Sequence, residues 1–99
     1  MEKKIKSYRN KVKSSFIVIN EKGLHTRPST ELVKCAVNFK SKINLLHQNT
    51  IVDAKSLLGI LALAAGKGTK INIEATGEDS KQAINAIIKL AGNKFNINY

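Results

Sequence analysis

At 99 residues the chain has room for one hydrophobic core, and we expect a single domain. Its one cysteine, Cys35, excludes an internal disulfide, and no apolar stretch is long enough for a signal peptide or a membrane helix. The net charge of +10 is compatible with nucleic-acid binding, but the few aromatic residues and the lack of a known nucleic-acid motif argue against it. We expect a soluble, cytoplasmic protein without a nucleic-acid partner or membrane insertion.

Half of the net charge lies near the N-terminus. Residues 1–13 hold six lysine or arginine side chains against one glutamate, a net of +5. Such a run of like charges is typical of a solvated segment. We expect residues 1–11 to form a basic, flexible N-terminal extension and residues 12–99 to form the folded domain.

The first predicted elements are a strand, a loop and a helix. The inward face of the strand is formed by alternate residues, Val12, Ser14, Phe16 and Val18. A loop follows over residues 20–25. Apolar residues at helical spacing then predict an amphipathic helix from Thr26 to about Val37.

The junction of this loop and helix carries the candidate chemistry. A histidine, His25, and an arginine, Arg27, lie two residues apart where the helix begins, and Pro28 suits its first turn. A helix start offers unpaired N–H groups and a partial positive charge, and a guanidinium is a planar donor suited to phosphate oxygens. This arrangement favours a phosphoryl-group site with His25 as nucleophile; the alternative is a capping or solvated histidine.

Two strands and a tight turn are predicted next. Ile43 and Leu45 alternate in the second strand, and Ile51-Val52 lies in the third. The hairpin between them, residues 47–50, has no glycine, but Asn49 at the second turn position tolerates a positive φ.

The last three elements are a short helix, a strand and a longer helix. Leu57 to Leu63 predicts the short helix with Ser56 as N-cap, and residues 71–75 alternate as the fourth strand. The run from Asp79 to Gln82 has the pattern of a capping box, which opens a third helix that ends at Gly92. Residues 94–99 are predicted to be an irregular end.

The order βαββαβα predicts an α+β fold. We expect an open-faced β-sandwich in which a four-stranded, largely antiparallel sheet is covered on one face by three helices. Periodicity leaves the order of the strands undecided. No group of cysteine, histidine or carboxylate residues has the spacing of metal ligands, so we predict no metal and no cofactor.

The short helix is also a candidate surface for a partner. Its apolar residues, Leu57, Leu58 and Leu61, cannot all point inward, so at least one is expected to be exposed beside His25 and Arg27. An apolar patch with lysines at its rim, namely Lys34 and Lys55, suits an acidic partner. The alternatives are core packing for each leucine and simple solvation for each lysine.

Two motifs together resemble one known family. The segment GLHTRP at residues 23–28 and the segment DAKSLLGILAL at residues 53–63 resemble the histidine-containing phosphocarrier (HPr) family of the bacterial phosphoenolpyruvate-dependent sugar phosphotransferase system. The resemblance extends from about Val12 to Asn93. It implies the fold predicted above and a phosphocarrier rather than an enzyme.

The resemblance implies a role for each residue of the first motif. His25 would accept a phosphoryl group from phosphorylated Enzyme I and pass it to IIA domains of sugar permeases. Arg27 would orient and partly neutralise the phosphate, and the main-chain N–H groups of Thr26 and Arg27 would hold it. A monomer is expected.

The second motif resembles the regulatory segment of the family. Ser56 would then be phosphorylated, with an HPr kinase/phosphorylase as a further partner. The alternative to a sugar-transport carrier is a regulatory relative that acts through Ser56 alone. The sequence departs from the family at Ala64, where many members have a glycine that closes the short helix, and at Ser29 and Thr30, where small alanine-like residues are usual.

Overall fold

The computed structural model describes residues 11–99, which fold in the order βαββαβα. The strands are β1 (Lys11–Ile17), β2 (Lys42–His47), β3 (Thr50–Asp53) and β4 (Lys70–Thr76). The helices are α1 (Thr26–Ala36), α2 (Leu57–Ala62) and α3 (Ser80–Gly92), followed by a 3-10 turn (Lys94–Asn96). The predicted element order is confirmed. The predicted extension over residues 1–11 lies outside the described residues, apart from Lys11, which begins β1.

The four strands form one antiparallel sheet in the order β1-β4-β2-β3. The last strand in sequence therefore lies between the first and the second, which periodicity alone does not indicate. Phe16 of β1 pairs with Ile71 of β4, and Leu45 of β2 pairs with Ile73. This register places the apolar side chains of three strands on one face.

That face packs against the three helices and forms the core, so the predicted fold class is confirmed. Its buried strand residues are Phe16, Ile43, Leu45, Ile71, Ile73 and Ala75. The helices contribute Leu32, Ala36, Ile60, Ala83, Ile84 and Ile87. Each fully buried leucine or isoleucine among them stabilises the fold by about 1.5–3 kcal/mol relative to exposure. The helices are thereby held in fixed positions over the sheet.

The hairpin between β2 and β3 differs from the prediction in one residue. Gln48, not Asn49, has the positive φ, at 54°. A positive φ at the first central residue alone is the pattern of a type II′ turn, whose twist matches that of the flanking strands. The prediction that Asn49 supplies the left-handed residue was therefore wrong.

The start of α3 is not a capping box. The Asp79 side chain makes no hydrogen bond to its own helix. It accepts hydrogen bonds from the main-chain N–H groups of Lys40, at 2.8 Å, and Ser41, at 3.0 Å, and from the Ser41 hydroxyl. These two N–H groups lie in the turn between α1 and β2, so Asp79 joins that turn to α3. The capping-box prediction was wrong because a distant pair of donors engages the carboxylate.

The C-terminal segment is part of the core rather than an irregular end. Phe95 is fully buried, and its ring meets that of Phe16 edge to face with centroids 5.9 Å apart. Aromatic pairs in this geometry contribute about 0.5–1.5 kcal/mol beyond their burial. The expectation of an irregular end overlooked Phe95, whose partner lies on the first strand.

Ala64 takes a left-handed conformation after α2. Its φ is 51°, and its side chain is exposed. A residue with a Cβ pays about 1–2 kcal/mol for this conformation, whereas glycine adopts it freely. The departure at Ala64 thus stores strain at the end of α2.

We expect Ala64→Gly to stabilise the protein. The relief of strain exceeds the extra chain entropy of glycine in the unfolded state, for a net gain of about 0.5–1 kcal/mol in the free energy of unfolding. Urea titration measures the change. Ala62→Gly is the control, because Ala62 is an exposed residue of α2 itself and the same substitution there should destabilise by about 0.5–1 kcal/mol. A lower urea midpoint for Ala64→Gly would show that Ala64 holds its conformation without cost.

Asp79 should make the stability depend on pH. Hydrogen bonds from the Ser41 hydroxyl and the Lys40 N–H lower the pKa of Asp79 below its ordinary value. Because the pKa is lower in the folded state, the contribution of Asp79 is fully present above the unfolded pKa of about 4 and is lost as pH falls through the folded pKa. Below pH 4 the melting temperature of the parent should therefore fall more steeply than that of Asp79→Asn.

The control for this pH dependence is Glu78→Gln. Glu78 is the exposed neighbour of Asp79 and makes no hydrogen bond or ion pair within the described part of the chain. Its melting temperature should follow that of the parent at every pH. Parallel curves of melting temperature against pH for the parent and Asp79→Asn would show that the Asp79 carboxylate does not cause the pH dependence.

Candidate functional site

His25 lies exposed at the start of α1. It occupies the N-cap position with extended backbone angles, φ −72° and ψ −175°, and its side chain makes no capping hydrogen bond. The first helical hydrogen bond runs from the N–H of Ser29 to the carbonyl of His25, at 2.9 Å. The predicted start of the helix directly after His25 is confirmed, and within residues 11–99 the imidazole of His25 is exposed and makes no ion pair.

The first turn of α1 offers donors with no helical acceptor. The N–H groups of Thr26 and Arg27 precede the first helical hydrogen bond, and Pro28 has no N–H to place there. No acidic side chain lies in this turn. Together with the positive end of the helix dipole, these two N–H groups form a site for an anion next to His25.

The loop before α1 is fixed by close packing. The N–H of Leu24 donates to the carbonyl of Ala65 at 2.9 Å, and the Ser29 hydroxyl donates to the carbonyl of Leu24 at 3.0 Å. Gly23 has φ 72°, and a Cβ at this position would lie 2.4 Å from the Ala65 carbonyl oxygen. Only glycine fits there. The close approach of Gly23 and the two hydrogen bonds fix the backbone on both sides of His25.

A hollow beside His25 connects the site to α2. It is lined by Lys22 and Thr26 on the loop and helix side, and by Leu61, Ala64 and Gly66 on the other. The structure therefore brings Leu61 to His25, as the sequence predicted. The strained Ala64 also lies in this hollow.

Arg27 contacts a residue that the sequence analysis did not single out. Its Nη1 donates to the Tyr99 hydroxyl at 3.0 Å, and its guanidinium lies 5.7 Å from the centre of the Tyr99 ring. Lys22 Nζ lies 5.5 Å from the same ring centre. No local pattern signals this contact, since Tyr99 is 72 residues from Arg27.

The C-terminal segment is held near the site by a buried amide. Asn20 is fully buried, and its Nδ2 donates to the main-chain oxygens of Lys94 and Tyr99, both at 2.9 Å. Asn20 lies in the loop that leads to His25. Sequence reasoning treated Asn20 only as a loop residue, because its acceptors lie 74 and 79 residues away and no local pattern indicates them.

The leucines of α2 differ in exposure. Leu58 is 80% exposed, whereas Leu57 and Leu61 are half-buried. Leu58 meets the expectation that at least one leucine is exposed, but the leucine that lines the hollow with His25 is the half-buried Leu61. An apolar side chain this exposed is suited to contact with a partner, and that role stays a prediction.

The two lysines predicted at the rim are both engaged within the protein. Lys55 Nζ donates to the carbonyl of Phe39 at 2.7 Å, and Lys34 pairs with Glu31 at 3.4 Å. Lys55 thus joins the start of α2 to the chain that follows α1. Contact of Lys34 and Lys55 with a partner stays a prediction.

Ser56 caps α2 as predicted. Its Oγ accepts a hydrogen bond from the N–H of Gly59 at 3.0 Å, and its carbonyl accepts from Ile60 at 3.0 Å. The side chain is half-buried. The cap explains a serine here, and regulation by phosphorylation stays a prediction.

The remaining reactive side chains lie outside the site. Cys35 is half-buried in α1, and burial raises the pKa of its thiol, which disfavours the reactive thiolate. His47 ends β2 at the hairpin. Within residues 11–99, no three histidine, cysteine or acidic side chains are grouped to hold a metal, and no helix has the length and apolarity to span a bilayer.

Comparisons with known proteins identify the family. Residues 12–93 match the family model described as the PTS HPr component phosphorylation site. The chain is 40% identical over 78 residues to the phosphocarrier protein HPr of Cupriavidus necator, with 79% of this chain and 88% of that protein aligned. It is also 44% identical over 85 residues to the multiphosphoryl transfer protein of Haemophilus influenzae, with 83% of this chain but only 17% of that protein aligned.

A solved structure agrees with this assignment. The crystal structure of HPr-C-His from Thermoanaerobacter tengcongensis superposes with a TM-score of 0.84 at 33% identity, covering 89% of this chain and 99% of that one. The match therefore extends over the sheet, the three helices and the loop that holds His25. This chain belongs to the HPr family, the phosphocarrier proteins of the phosphotransferase system.

Proposed function

We propose that this chain carries a phosphoryl group on His25 from phosphorylated Enzyme I to the IIA domain of a sugar permease. One observation carries the proposal: an exposed imidazole at the N-cap of α1, next to the unpaired N–H groups of Thr26 and Arg27. These proposed partners place the reaction in the cytoplasm. No cofactor is needed, because the phosphoryl group comes from the donor protein.

The transfer requires one bond to form and one to break. A ring nitrogen of His25 attacks the phosphorus with its lone pair, while the bond from phosphorus to the donor breaks and its electron pair stays with the donor. In the second transfer a nucleophile of the IIA domain attacks the phosphorus, and the bond from phosphorus to His25 breaks with its electron pair left on the imidazole. An imidazole serves both steps, since it is a nucleophile at neutral pH and leaves readily from phosphorus.

The rest of the site positions the group and balances its charge. The two N–H groups of the α1 start and the Arg27 guanidinium meet the phosphoryl oxygens. Phosphoryl transfer depends mainly on such positioning and electrostatic stabilisation. The site that makes these contacts is exposed. A carrier needs this exposure, because two different partners must reach the phosphoryl group.

The surface of α2 supports a protein partner. Leu58 is exposed, Leu57 and Leu61 are half-buried on the same helix, and Lys55 adds positive charge just before its start. Lys34 does not belong to this surface, because it lies on α1 and lines a groove with residues of α3. A partner with an apolar groove and acidic residues around it complements this surface. The hollow at Leu61 joins this surface to His25, so docking on α2 would bring the donor to the imidazole.

We expect His25→Ala to abolish phosphorylation without loss of the fold, because His25 is exposed and makes no capping bond. The protein is incubated with phosphoenolpyruvate and Enzyme I, and intact mass is measured at neutral pH and after acid. The parent should gain one acid-labile phosphate, and His25→Ala should gain none.

The control is His47→Ala, which removes the other histidine of the chain. It lies in the hairpin at the end of β2 and should be phosphorylated like the parent. Acid-labile phosphate on the His25→Ala variant, or its loss from the His47→Ala variant alone, would contradict the proposal.

We also propose that phosphorylation of Ser56, by a kinase of the HPr kinase/phosphorylase type, regulates this transfer. Ser56 caps α2, so a phosphate there meets the positive end of the helix dipole and is compatible with the fold. The modification places up to about two negative charges beside Leu57 and Leu58. Those charges would repel an acidic partner.

We expect Ser56→Asp to keep the fold and to slow phosphorylation of His25 by Enzyme I. Aspartate is also a good N-cap, so the free energy of unfolding should stay near that of the parent. Ser56→Ala is the matched variant: it should transfer normally but lose about 1 kcal/mol, since the acceptor for the Gly59 N–H is removed. Quenched time courses measure the rate of His25 phosphorylation, and urea titration measures the free energy of unfolding. Equal phosphorylation rates for Ser56→Asp and the parent would leave Ser56 as a cap only.

A further inference from the structure

Tyr99 contacts both cations that flank His25 in the sequence. Its hydroxyl accepts from Arg27 at 3.0 Å, and the Arg27 guanidinium lies 5.7 Å from its ring centre. Lys22 Nζ lies 5.5 Å from the same centre. Lys22 also lines the hollow beside His25. One aromatic side chain thus holds two positive charges next to the proposed nucleophile.

The position of Tyr99 is built into the fold. The buried amide of Asn20 donates to the main-chain oxygen of Tyr99 at 2.9 Å, and Phe95 anchors the same segment in the core. Ile97, between these two aromatic residues, is also buried. The ring therefore has a defined place above the loop that carries His25.

Within residues 11–99, neither of these two cations has a carboxylate partner. Glu21, the neighbour of Lys22, pairs with Lys67 at 2.7 Å instead, and the ion pairs within residues 11–99 include neither Lys22 nor Arg27. Two like charges near one ring repel each other, and the negative face of the ring offsets part of this repulsion. An anion at His25 would offset the remaining repulsion between Lys22 and Arg27. The arrangement is complementary to a phosphoryl group.

We propose that Tyr99 is a positioning residue for phosphoryl transfer. Its ring and hydroxyl keep Arg27 and Lys22 close to the start of α1, so both cations meet the phosphoryl group on His25 without first being ordered. Exposed arginine and lysine side chains otherwise lose rotamer entropy when they bind an anion. The inference rests on the phosphocarrier function proposed above and adds a residue that lies outside both sequence motifs.

The test uses phosphoramidate, a small phosphoryl donor that requires no docking protein. Formation of phosphohistidine is followed by ³¹P NMR in the parent, Tyr99→Leu, Tyr99→Phe and Asn98→Ala. Loss of both the ring and the hydroxyl in Tyr99→Leu should lower the rate constant about fivefold. Tyr99→Phe keeps the ring, so its rate constant should stay close to that of the parent. Asn98→Ala, an exposed neighbour, should match the parent.

A double-mutant cycle separates positioning from a structural effect. In a Lys22→Ala/Arg27→Ala background, Tyr99→Leu should change the rate constant less than twofold, because the cations it positions are absent. An equal loss in both backgrounds would overturn the proposal. If Tyr99→Leu lowers the melting temperature, the cycle is measured with Tyr99→Phe instead, in the parent and in the Lys22→Ala/Arg27→Ala background.

The outcome also separates this inference from the proposed function. If the parent forms no phosphohistidine at His25 from either phosphoramidate or Enzyme I, the phosphocarrier proposal fails. If the parent reacts and Tyr99→Leu reacts at the same rate, only the role of Tyr99 is overturned.

Discussion

The chemistry proposed for this chain depends on N–H groups that a helix cannot satisfy by itself. The first turn of α1 leaves the donors of Thr26 and Arg27 without helical acceptors, and Pro28 contributes no donor that would compete with them. His25 at the N-cap puts the proposed nucleophile beside these donors. The tight approach of Gly23 to Ala65 then fixes where the helix begins. Helix geometry and one glycine thus define the site before any partner binds.

A second constraint brings the end of the chain to the same place. The buried amide of Asn20 would be costly without acceptors, and the main-chain oxygens of Lys94 and Tyr99 provide them. Burial of Phe95 contributes the apolar part of the same attachment. Packing and hydrogen bonding therefore place the Tyr99 ring beside Lys22 and Arg27. These are the two cations that we propose the ring holds in position for the transfer. The core and the site are stabilised by the same contacts.

The sequence predicts the parts of this molecule that local signals control. The N-cap of α2 at Ser56 and the start of α1 after His25 follow from residue types a few positions apart, and both are confirmed. The carboxylate of Asp79 was misassigned because its donors lie 38 and 39 residues away. The strand order and the contact of Tyr99 with Arg27 are equally non-local. A single sequence carries no periodic signal for such contacts.

The distribution of carboxylates favours the proposed site at small cost to stability. Glu21 pairs with Lys67, whose hydrogen bond and charge lower the pKa of Glu21, and Glu31 pairs with Lys34 further along α1. Exposed pairs of this kind contribute little to stability wherever they lie, because water and salt screen them. A carboxylate beside His25 would instead repel a phosphoryl group and occupy Arg27. Because surface pairing is worth so little, the pairing of Glu21 and Glu31 with other lysines leaves Lys22 and Arg27 without an ion pair in the described part of the chain at almost no loss of stability.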